Sequence, residues 1–147
     1  MKFESADPSD EPQVRQLLAG CELPGEDITA SHMQHFLVVR NETNLSGVIG
    51  LELFGQCALL RSLAVETHAR GQGIASRLVK KAEEYARSHD VESLYLLTTT
   101  AEGFFKKHGY RTTDRNNVPT VLKETAEFKS ICPSTAICMV KSLKASG

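Results

Sequence analysis

The stretch LLRSLAVETHARGQGIASRLVKKAEEYARS, residues 59–88, decides the fold of this chain. It opens with an apolar run of strand length at 59–65, and a polar connector then leads to two glycines, Gly71 and Gly73. After the glycines, apolar residues recur at the spacing of one helix face, at Ile74, Leu78, Ala82, Tyr85 and Ala86. The stretch therefore predicts a strand, a glycine-rich turn and a helix in succession.

A turn of this kind forms a site for an anion at the start of the helix. The first backbone N–H groups of a helix have no partner within it, and the helix dipole places partial positive charge there. Glycines let the backbone approach a bulky oxyanion, and Arg70 adds a guanidinium that can fork onto phosphate oxygens. A P-loop is excluded because no Lys follows Gly73. A dinucleotide fingerprint is excluded because residues 66–69 separate strand from turn, and Ser76 replaces the third glycine.

The composition limits the class of protein. A chain of 147 residues has room for one domain, and a net charge of −1 argues against a general nucleic-acid partner. Met1 is followed by no apolar leader, and no apolar run reaches membrane-spanning length, so we expect a cytoplasmic protein without a membrane partner. The four cysteines lack paired spacing and are expected to be reduced thiols, and no histidines have metal-ligand spacing.

The flanking sequence predicts a single α/β domain. Strands are predicted at 2–6, 35–40, 47–54, 57–65, 93–98, 110–113 and 136–143. Helices are predicted from Asp7-Pro8 to the stop at 23–25, and at 28–34, 74–88, 100–108 and 119–128. The strand at 93–98 should run parallel to that at 59–65 through a right-handed crossover, which makes the sheet mixed.

Two motifs in this order resemble the Gcn5-related N-acetyltransferases, the GNAT family. Residues 70–75, RGQGIA, match the signature Gln/Arg-x-x-Gly-x-Gly/Ala, and residues 101–110, AEGFFKKHGY, resemble the second motif, a helix ending in Gly and an aromatic. The resemblance covers roughly the whole chain, 1–147, and implies a single-domain GNAT fold with a mixed central β-sheet flanked by helices. It also implies direct transfer of an acetyl group from acetyl-CoA to an amine, without a metal.

The resemblance assigns a coenzyme site to particular residues. Backbone groups of Leu63, Ala64 and Val65 would pair with the pantetheine arm as a neighbouring strand would. The pyrophosphate would be held by Arg70, Gly71, Gln72, Gly73, Ile74, Ala75 and Ser76. The other side of the arm would be flanked by Thr100, Phe104 and Phe105.

Phe105 departs from the family, whose usual acid for the leaving thiolate is a Tyr at this place. Water or another residue then serves, the thiolate leaves unassisted, or the fold only binds coenzyme A. Tyr110 is a candidate substitute, against its interpretation as a strand aromatic that packs on the helix. The candidate base is Glu52, because strand alternation places it opposite Leu51 and Leu53.

Arg61 lies inside the apolar run of the central strand, where an unpaired buried guanidinium is costly. Its partner is either an internal carboxylate or an anionic group of the substrate. Residues 96–105, LLTTTAEGFF, and 128–139, FKSICPSTAICM, resemble a small branch of acetyltransferases from bacterial arsenic-resistance operons. That branch implies an amino-acid acceptor with an extra anionic group, such as arsinothricin, phosphinothricin or glutamate. Cys132 is then a candidate residue of the acceptor cleft, and Cys138 is expected to be a buried thiol.

Three functions remain open from the sequence. The first is an N-acetyltransferase for the α-amine of a small anionic amino acid, and the second is a protein or peptide N-acetyltransferase. The third is a regulatory module that binds coenzyme A without turnover, which Phe105 favours. Homodimers are common among such small domains, again by resemblance.

Overall fold

The computed structural model describes residues 2–23, 25–42, 44–131 and 135–143. The strands are β1 (Lys2–Ser5), β2 (Phe36–Asn41), β3 (Asn44–Phe54), β4 (Cys57–Val65), β5 (Ser93–Thr98), β6 (Arg111–Thr112) and β7 (Ile137–Ser142). The α-helices are α1 (Glu11–Gly20), α2 (Ile74–Ser88), α3 (Glu102–Lys107) and α4 (Thr120–Lys123). Shorter 3-10 helices cover Pro8–Asp10, Ala30–His35, Thr67–Ala69 and Arg115–Asn117, and a π-helix covers Glu127–Ile131.

The strands form one mixed seven-stranded sheet in the order β1-β2-β3-β4-β5-β7-β6, flanked by helices. Neighbouring strands are antiparallel except β4 and β5, which run parallel as the sequence predicts. Helix α2 makes the crossover between these two strands. The predicted mixed α/β fold is confirmed. No local pattern indicated that β7 would insert between β5 and β6, because that pairing joins distant parts of the chain.

Two apolar clusters pack against the sheet. The larger one contains the predicted inner face of α2, with Ile74, Leu78 and Ala82 buried against residues of β3 and β4. The smaller one holds Val14 and Leu18 of α1. These clusters fix α1 and α2 relative to the central strand β4. In the described part of the chain, no helix is both long and apolar enough to cross a bilayer.

The main differences from the predictions concern three elements. Strand β3 begins at Asn44, three residues before the predicted start at Gly47, and the predicted helix at 28–34 is a 3-10 helix over Ala30–His35. The predicted helix at 119–128 is divided into α4 and the π-helix. Thr125 explains the break, because its hydroxyl donates to the carbonyl of Leu122 at 2.7 Å and competes with the helical backbone bond.

Gly50 of β3 gives room to a buried aromatic ring. A Cβ atom at this position would lie 2.3 Å from two ring carbons of Phe36, whose side chain is fully buried. We expect Gly50→Ala to lower the free energy of unfolding by about 1–3 kcal/mol, as overpacking does. Urea unfolding measures the loss. Gly20→Ala is the control, since an added Cβ there meets nothing within 4 Å, and equal stability of the two variants would contradict the packing.

Candidate active site

A cleft opens where β4 and β5 diverge. The two strands pair at three positions only, residues 57–59 with 93–95. Beyond them lies a cleft of about 850 Å³, lined by residues 60–65 of β4 and by residues 96–101 at and after the end of β5. Since β5 does not continue the pairing, the edge of β4 can accept an extended ligand as an additional strand.

A β-bulge shapes β4 inside the cleft. Val48 pairs with Ala64 and Gly50 pairs with Arg61, so two residues of β4 stand opposite Ile49 of β3. One of them is Ser62, which has a positive φ of 59°. Bulges bend and twist a strand locally, and this one lies where β4 leaves β5. No residue pattern indicated the bulge, because glycine rather than serine is the usual residue with positive φ.

The glycine-rich turn has the geometry that an anion requires. Gly71 and Gly73 have φ values of 82° and 77°, and Gly73 is the residue that precedes α2. The first backbone bond of the helix runs from the N–H of Arg77 to the carbonyl of Gly73, so the N–H groups of residues 74–76 precede the ladder. A Cβ on either glycine would meet nothing within 4 Å, so the turn is open on its outer side. These features fit the pyrophosphate of coenzyme A.

The predicted turn residues divide into three groups by environment. Gly71, Gln72 and Gly73 are exposed, while the side chain of Ile74 is buried in the core and leaves only its backbone for a ligand. Ala75 lines the cleft. The Oγ of Ser76 lies 3.0 Å from Nε2 of His108 at the end of α3, which joins the turn to the opposite wall.

Arg70 reaches back into the cleft from the turn. Its Nε donates to the carbonyl of Val65 at 3.0 Å, and a terminal nitrogen lies 3.5 Å from the sulfur of Cys21. All three residues line the cleft. The guanidinium therefore places a positive charge beside the end of β4, near the turn that would take the pyrophosphate.

The opposite wall contains the three residues predicted for it. Thr100, Phe104 and Phe105 all line the cleft. The ring of Phe105 is buried and meets Phe104 edge-on at 5.1 Å and Tyr110 at 5.4 Å. The position of the usual family Tyr is thus occupied by an apolar ring that packs without a polar partner.

Tyr110 is a packing residue of the core. Its hydroxyl donates to Oε2 of Glu83 at 2.9 Å, and Lys141 donates to both oxygens of that carboxylate at 3.0 and 3.1 Å. Burial, together with the charge of Glu83, raises the pKa of Tyr110. The hydroxyl is therefore a poor acid, and its residue does not belong to the described lining of the cleft.

We expect Tyr110→Phe to lower stability and to leave turnover unchanged. The variant loses one buried hydrogen bond to a charged acceptor, worth about 1–3 kcal/mol. Glu83 retains Lys141, so no carboxylate is left uncompensated. Urea unfolding and kcat measure the two effects. A fall in kcat of about 100-fold, the size of a lost general acid, would instead place Tyr110 in the reaction.

Arg61 has internal partners, the first of the two alternatives left by the sequence. Its side chain is fully buried, and its terminal nitrogens bind Asp27 at 2.5 and 2.7 Å and Glu52 at 2.8 Å. Its Nε lies 3.3 Å from Glu127. Burial alone would lower the pKa of Arg61, but its carboxylate partners raise it above the ordinary value. For Asp27, burial alone would raise the pKa, but the guanidinium of Arg61 outweighs burial, and the pKa of Asp27 is lowered. We call these four side chains the Arg61 cluster.

The Arg61 cluster marks the part of the cleft where the acceptor is predicted from the sequence, and we call this part the acceptor end. Arg61 and Glu127 line the cleft, together with the exposed Glu22 and Glu26. Glu52, the predicted base, is half-buried, bonds to Arg61 and lies outside the described lining. Its role as base stays a prediction, as does contact of Arg61 with the substrate. The sequence required a partner for Arg61, but no local pattern identified Asp27 or Glu127.

The remaining predictions concern Cys132 in the acceptor cleft, Cys138 as a buried thiol, and a reaction without a metal. Cys132 lies outside the described residues. Cys138 is buried in β7, and burial raises its pKa to about 11, as expected for an inert thiol. Among the described residues, Asp27, His32 and Glu52 have ligand atoms within 4.8 Å of one another. Arg61 already bonds to both of those carboxylates, so this group gives no support to a metal centre.

The family follows from comparison with known proteins. Residues 4–110 match the model of the acetyltransferase (GNAT) family, and the chain belongs to that family. It is therefore an N-acetyltransferase with acetyl-CoA as its cosubstrate. The arsenic-resistance branch is not singled out by these matches.

Two relatives and one solved structure are similar to the chain. An uncharacterized N-acetyltransferase of Chlorobaculum tepidum is 30% identical over 117 residues, which are 76% of this chain and 73% of that protein. An amino-acid acetyltransferase of Neisseria meningitidis is 24% identical over 127 residues, 81% of this chain and 29% of that protein. The N-acetylglutamate synthase of Neisseria gonorrhoeae, solved with coenzyme A and N-acetyl-glutamate, superimposes with a TM-score of 0.85 at 20% identity. The superposition covers 98% of this chain and 35% of the synthase, so both Neisseria proteins are about three times as long as the matched part.

Proposed function

We propose that the protein acetylates the α-amine of a small amino acid. The observation that carries this proposal is the Arg61 cluster at the acceptor end of the cleft, where one guanidinium and three carboxylates are held together away from water. Such a mixed set of charges complements a zwitterion, which brings an ammonium and a carboxylate of its own. The activity named for the meningococcal relative, amino-acid acetyltransferase, supports the same acceptor class.

The coenzyme side of the cleft supports direct transfer. In the proposed complex, the backbone of residues 63–65 pairs with the pantetheine arm, and a backbone N–H near Val65 polarises the thioester carbonyl. The neutral amine attacks the carbonyl carbon, a C–N bond forms, the C–S bond breaks, and the amine loses a proton. Phe105 offers no proton, so the leaving thiolate takes one from water or from another residue, or departs as the anion.

The basicity of the acceptor amine sets how much help a base must give. The α-amine of a peptide N-terminus has a reference pKa of about 8, against about 10 for a lysine side chain. The α-amine of a free amino acid lies between these values because its own carboxylate stabilises the ammonium form. A small amino acid therefore needs less help from a base than a lysine side chain does, and a peptide N-terminus needs the least.

A more specific prediction from the sequence is that the acceptor amino acid carries an extra anionic group. It rests on the likeness to the arsenic-resistance branch and would make arsinothricin, phosphinothricin or glutamate the substrate. The charges of the Arg61 cluster weigh against it, because three carboxylates already surround the guanidinium. Every amino acid brings one carboxylate to this cluster, and glutamate or arsinothricin would bring a further negative charge that glutamine does not.

Mass spectrometry of acetylated products tests the proposal. The purified protein is incubated with acetyl-CoA and one amine at a time: glutamine, glutamate, arsinothricin, phosphinothricin, spermidine or a lysine peptide. Acetylation of one or more amino acids is the expected result, and the relative rates of glutamine and glutamate decide whether the second anionic group matters. Preference for the peptide or the polyamine would overturn the proposal. Tight binding of coenzyme A without any acetylated amine would favour the regulatory module.

A further inference from the structure

We infer that Glu127 binds the amine of the acceptor, and that the segment after α4 therefore determines acceptor specificity. The inference rests on the proposed function for its substrate class. The residue that it assigns to the amine is distant in sequence from the predicted base Glu52, by 75 positions (127 − 52). Glu127 belongs to the π-helix Glu127–Ile131. This conformation is rare in proteins, and where it occurs it is often at a functional site.

The position of Glu127 distinguishes it from the other carboxylates of the Arg61 cluster. Among the described residues, Glu127 is the only one of those three carboxylates that lines the cleft. Its side chain is 5% exposed, so a ligand in the cleft would meet it in a largely dehydrated setting. Asp27 and Glu52 also bond to Arg61, but neither belongs to the described lining of the cleft. An amine that enters the acceptor end can therefore reach Glu127 directly.

The Arg61 cluster sets three carboxylates around one guanidinium. Asp27 binds two terminal nitrogens of Arg61 at 2.5 and 2.7 Å, and Glu52 binds one at 2.8 Å. The contact of Glu127 is the longest of the set, at 3.3 Å to an Nε that also donates to Ser62 at 3.0 Å. A carboxylate that lines the cleft attracts an ammonium group, and the ammonium form of the acceptor supplies one.

The chemistry of the carboxylate allows both contacts at once. An ionised carboxylate accepts about four hydrogen bonds, so its bond to Arg61 is compatible with a further donor from the substrate. Arg61 then orients Glu127, and Glu127 contacts the amine. In this arrangement the buried arginine of the central strand acts on the acceptor through the carboxylate, without losing its own partners.

The experiment measures steady-state kinetics of Glu127→Gln with the acceptor that the wild type acetylates best. We expect the KM for the acceptor to rise about 10- to 100-fold, the loss of one hydrogen bond to a charged group. The KM for acetyl-CoA stays unchanged, because the glycine-rich turn and residues 63–65 are intact. Glu127→Asp should recover part of the loss. Glu124→Gln is the matched control, since Glu124 lies on the same segment but is exposed and paired with Lys129.

A second readout separates this inference from the proposed function. The melting temperature of the protein saturated with coenzyme A is measured with and without 10 mM glutamine, glutamate or spermidine (about 10 mM exceeds an ordinary KM). At least one amine should raise it in the wild type and fail to raise it in Glu127→Gln. If spermidine alone is bound and acetylated, and Glu127→Gln abolishes both effects, the amino-acid proposal fails and the inference stands. Three outcomes would overturn the inference. The first is an equal KM for an amino acid in the wild type and in Glu127→Gln, and the second is a larger rise of that KM in Glu52→Gln than in Glu127→Gln. The third is that no amine stabilises the wild type.

Discussion

Replacing Arg61 with alanine should cost about 3–5 kcal/mol of unfolding free energy, the loss expected when one partner of a buried ion pair is removed. The guanidinium is the shared partner of Asp27, Glu52 and Glu127, and its side chain has no exposure to water. Without it, three carboxylates face one another in a setting that water reaches poorly. This loss is a large fraction of the free energy of unfolding of a whole domain, which is about 5–15 kcal/mol.

The pH dependence of this loss has a defined sign. In the wild type Arg61 lowers the pKa of Asp27, so its contribution to stability is present above the unfolded pKa and is lost as the pH falls through the folded value. In Arg61→Ala, Asp27 loses the guanidinium that lowers its pKa, so burial raises that pKa instead, and protonation of Asp27 then relieves the repulsion. The gap in stability between the two proteins should therefore narrow as the pH falls from 7 towards 4.

Urea unfolding at several pH values measures both effects. Arg15→Ala is the control, because Arg15 forms an exposed pair with Glu11 and should lose about 0.5 kcal/mol or less. Arg61→Lys should lie between, since an ammonium cannot fork onto Asp27 while contacting Glu52 and Glu127. An Arg61→Ala variant as stable as Arg15→Ala, or a gap that widens in acid, would contradict the buried cluster.

Gly73→Val should weaken the binding of coenzyme A at least tenfold while the sheet stays folded. Gly73 precedes α2 with a φ of 77°, which a β-branched residue adopts only under strain. The turn of the free variant should relax to another conformation, and the coenzyme would have to restore it at about 1–2 kcal/mol. This conformational cost alone corresponds to about a 5- to 30-fold rise in the dissociation constant of coenzyme A. The valine side chain also enters the open space where the pyrophosphate would lie.

Isothermal titration with coenzyme A measures this effect. Gly103→Ala is the matched control, because Gly103 in α3 is equally open but its φ lies outside the left-handed region. The control should bind coenzyme A as the wild type does. Equal affinity of Gly73→Val and the wild type would show that the turn does not hold the coenzyme.

Local patterns predicted the parts of the fold that local forces determine. The boundaries of α2 and β5 are those predicted, because the apolar period of a helix and the composition of a buried strand act within a few residues. Most of the residues that the resemblance assigns to the coenzyme lie in the stretch 59–88. Several of them line one cleft with Thr100, Phe104 and Phe105. This arrangement depends on the parallel pairing of β4 with β5, which the intervening helix also indicated.

The acceptor end depends on contacts between distant parts of the chain. Arg61 signalled the need for a charge partner, but Asp27 lies 34 residues before it, and Glu127 lies in a π-helix that no periodicity predicts. The bulge at Ser62 belongs to the same class, because a serine with positive φ is set by its surroundings. The side chains of the proposed acceptor end are thus the part of the site that required three-dimensional structure.

The divergence of β4 from β5 also bears on self-association. A free strand edge at the rim of a sheet invites pairing with another chain, which leads to aggregation. Here the free edge is recessed between two walls, so a narrow linear molecule can reach it more readily than a second protein can. In the proposed complex, the coenzyme acts as a removable strand that completes the sheet. A ligand that binds only the folded state stabilises it by about 2.7 kcal/mol at 100 times its dissociation constant. Supply of the coenzyme would therefore lower the unfolded fraction of the protein about 100-fold, and with it the fraction open to aggregation.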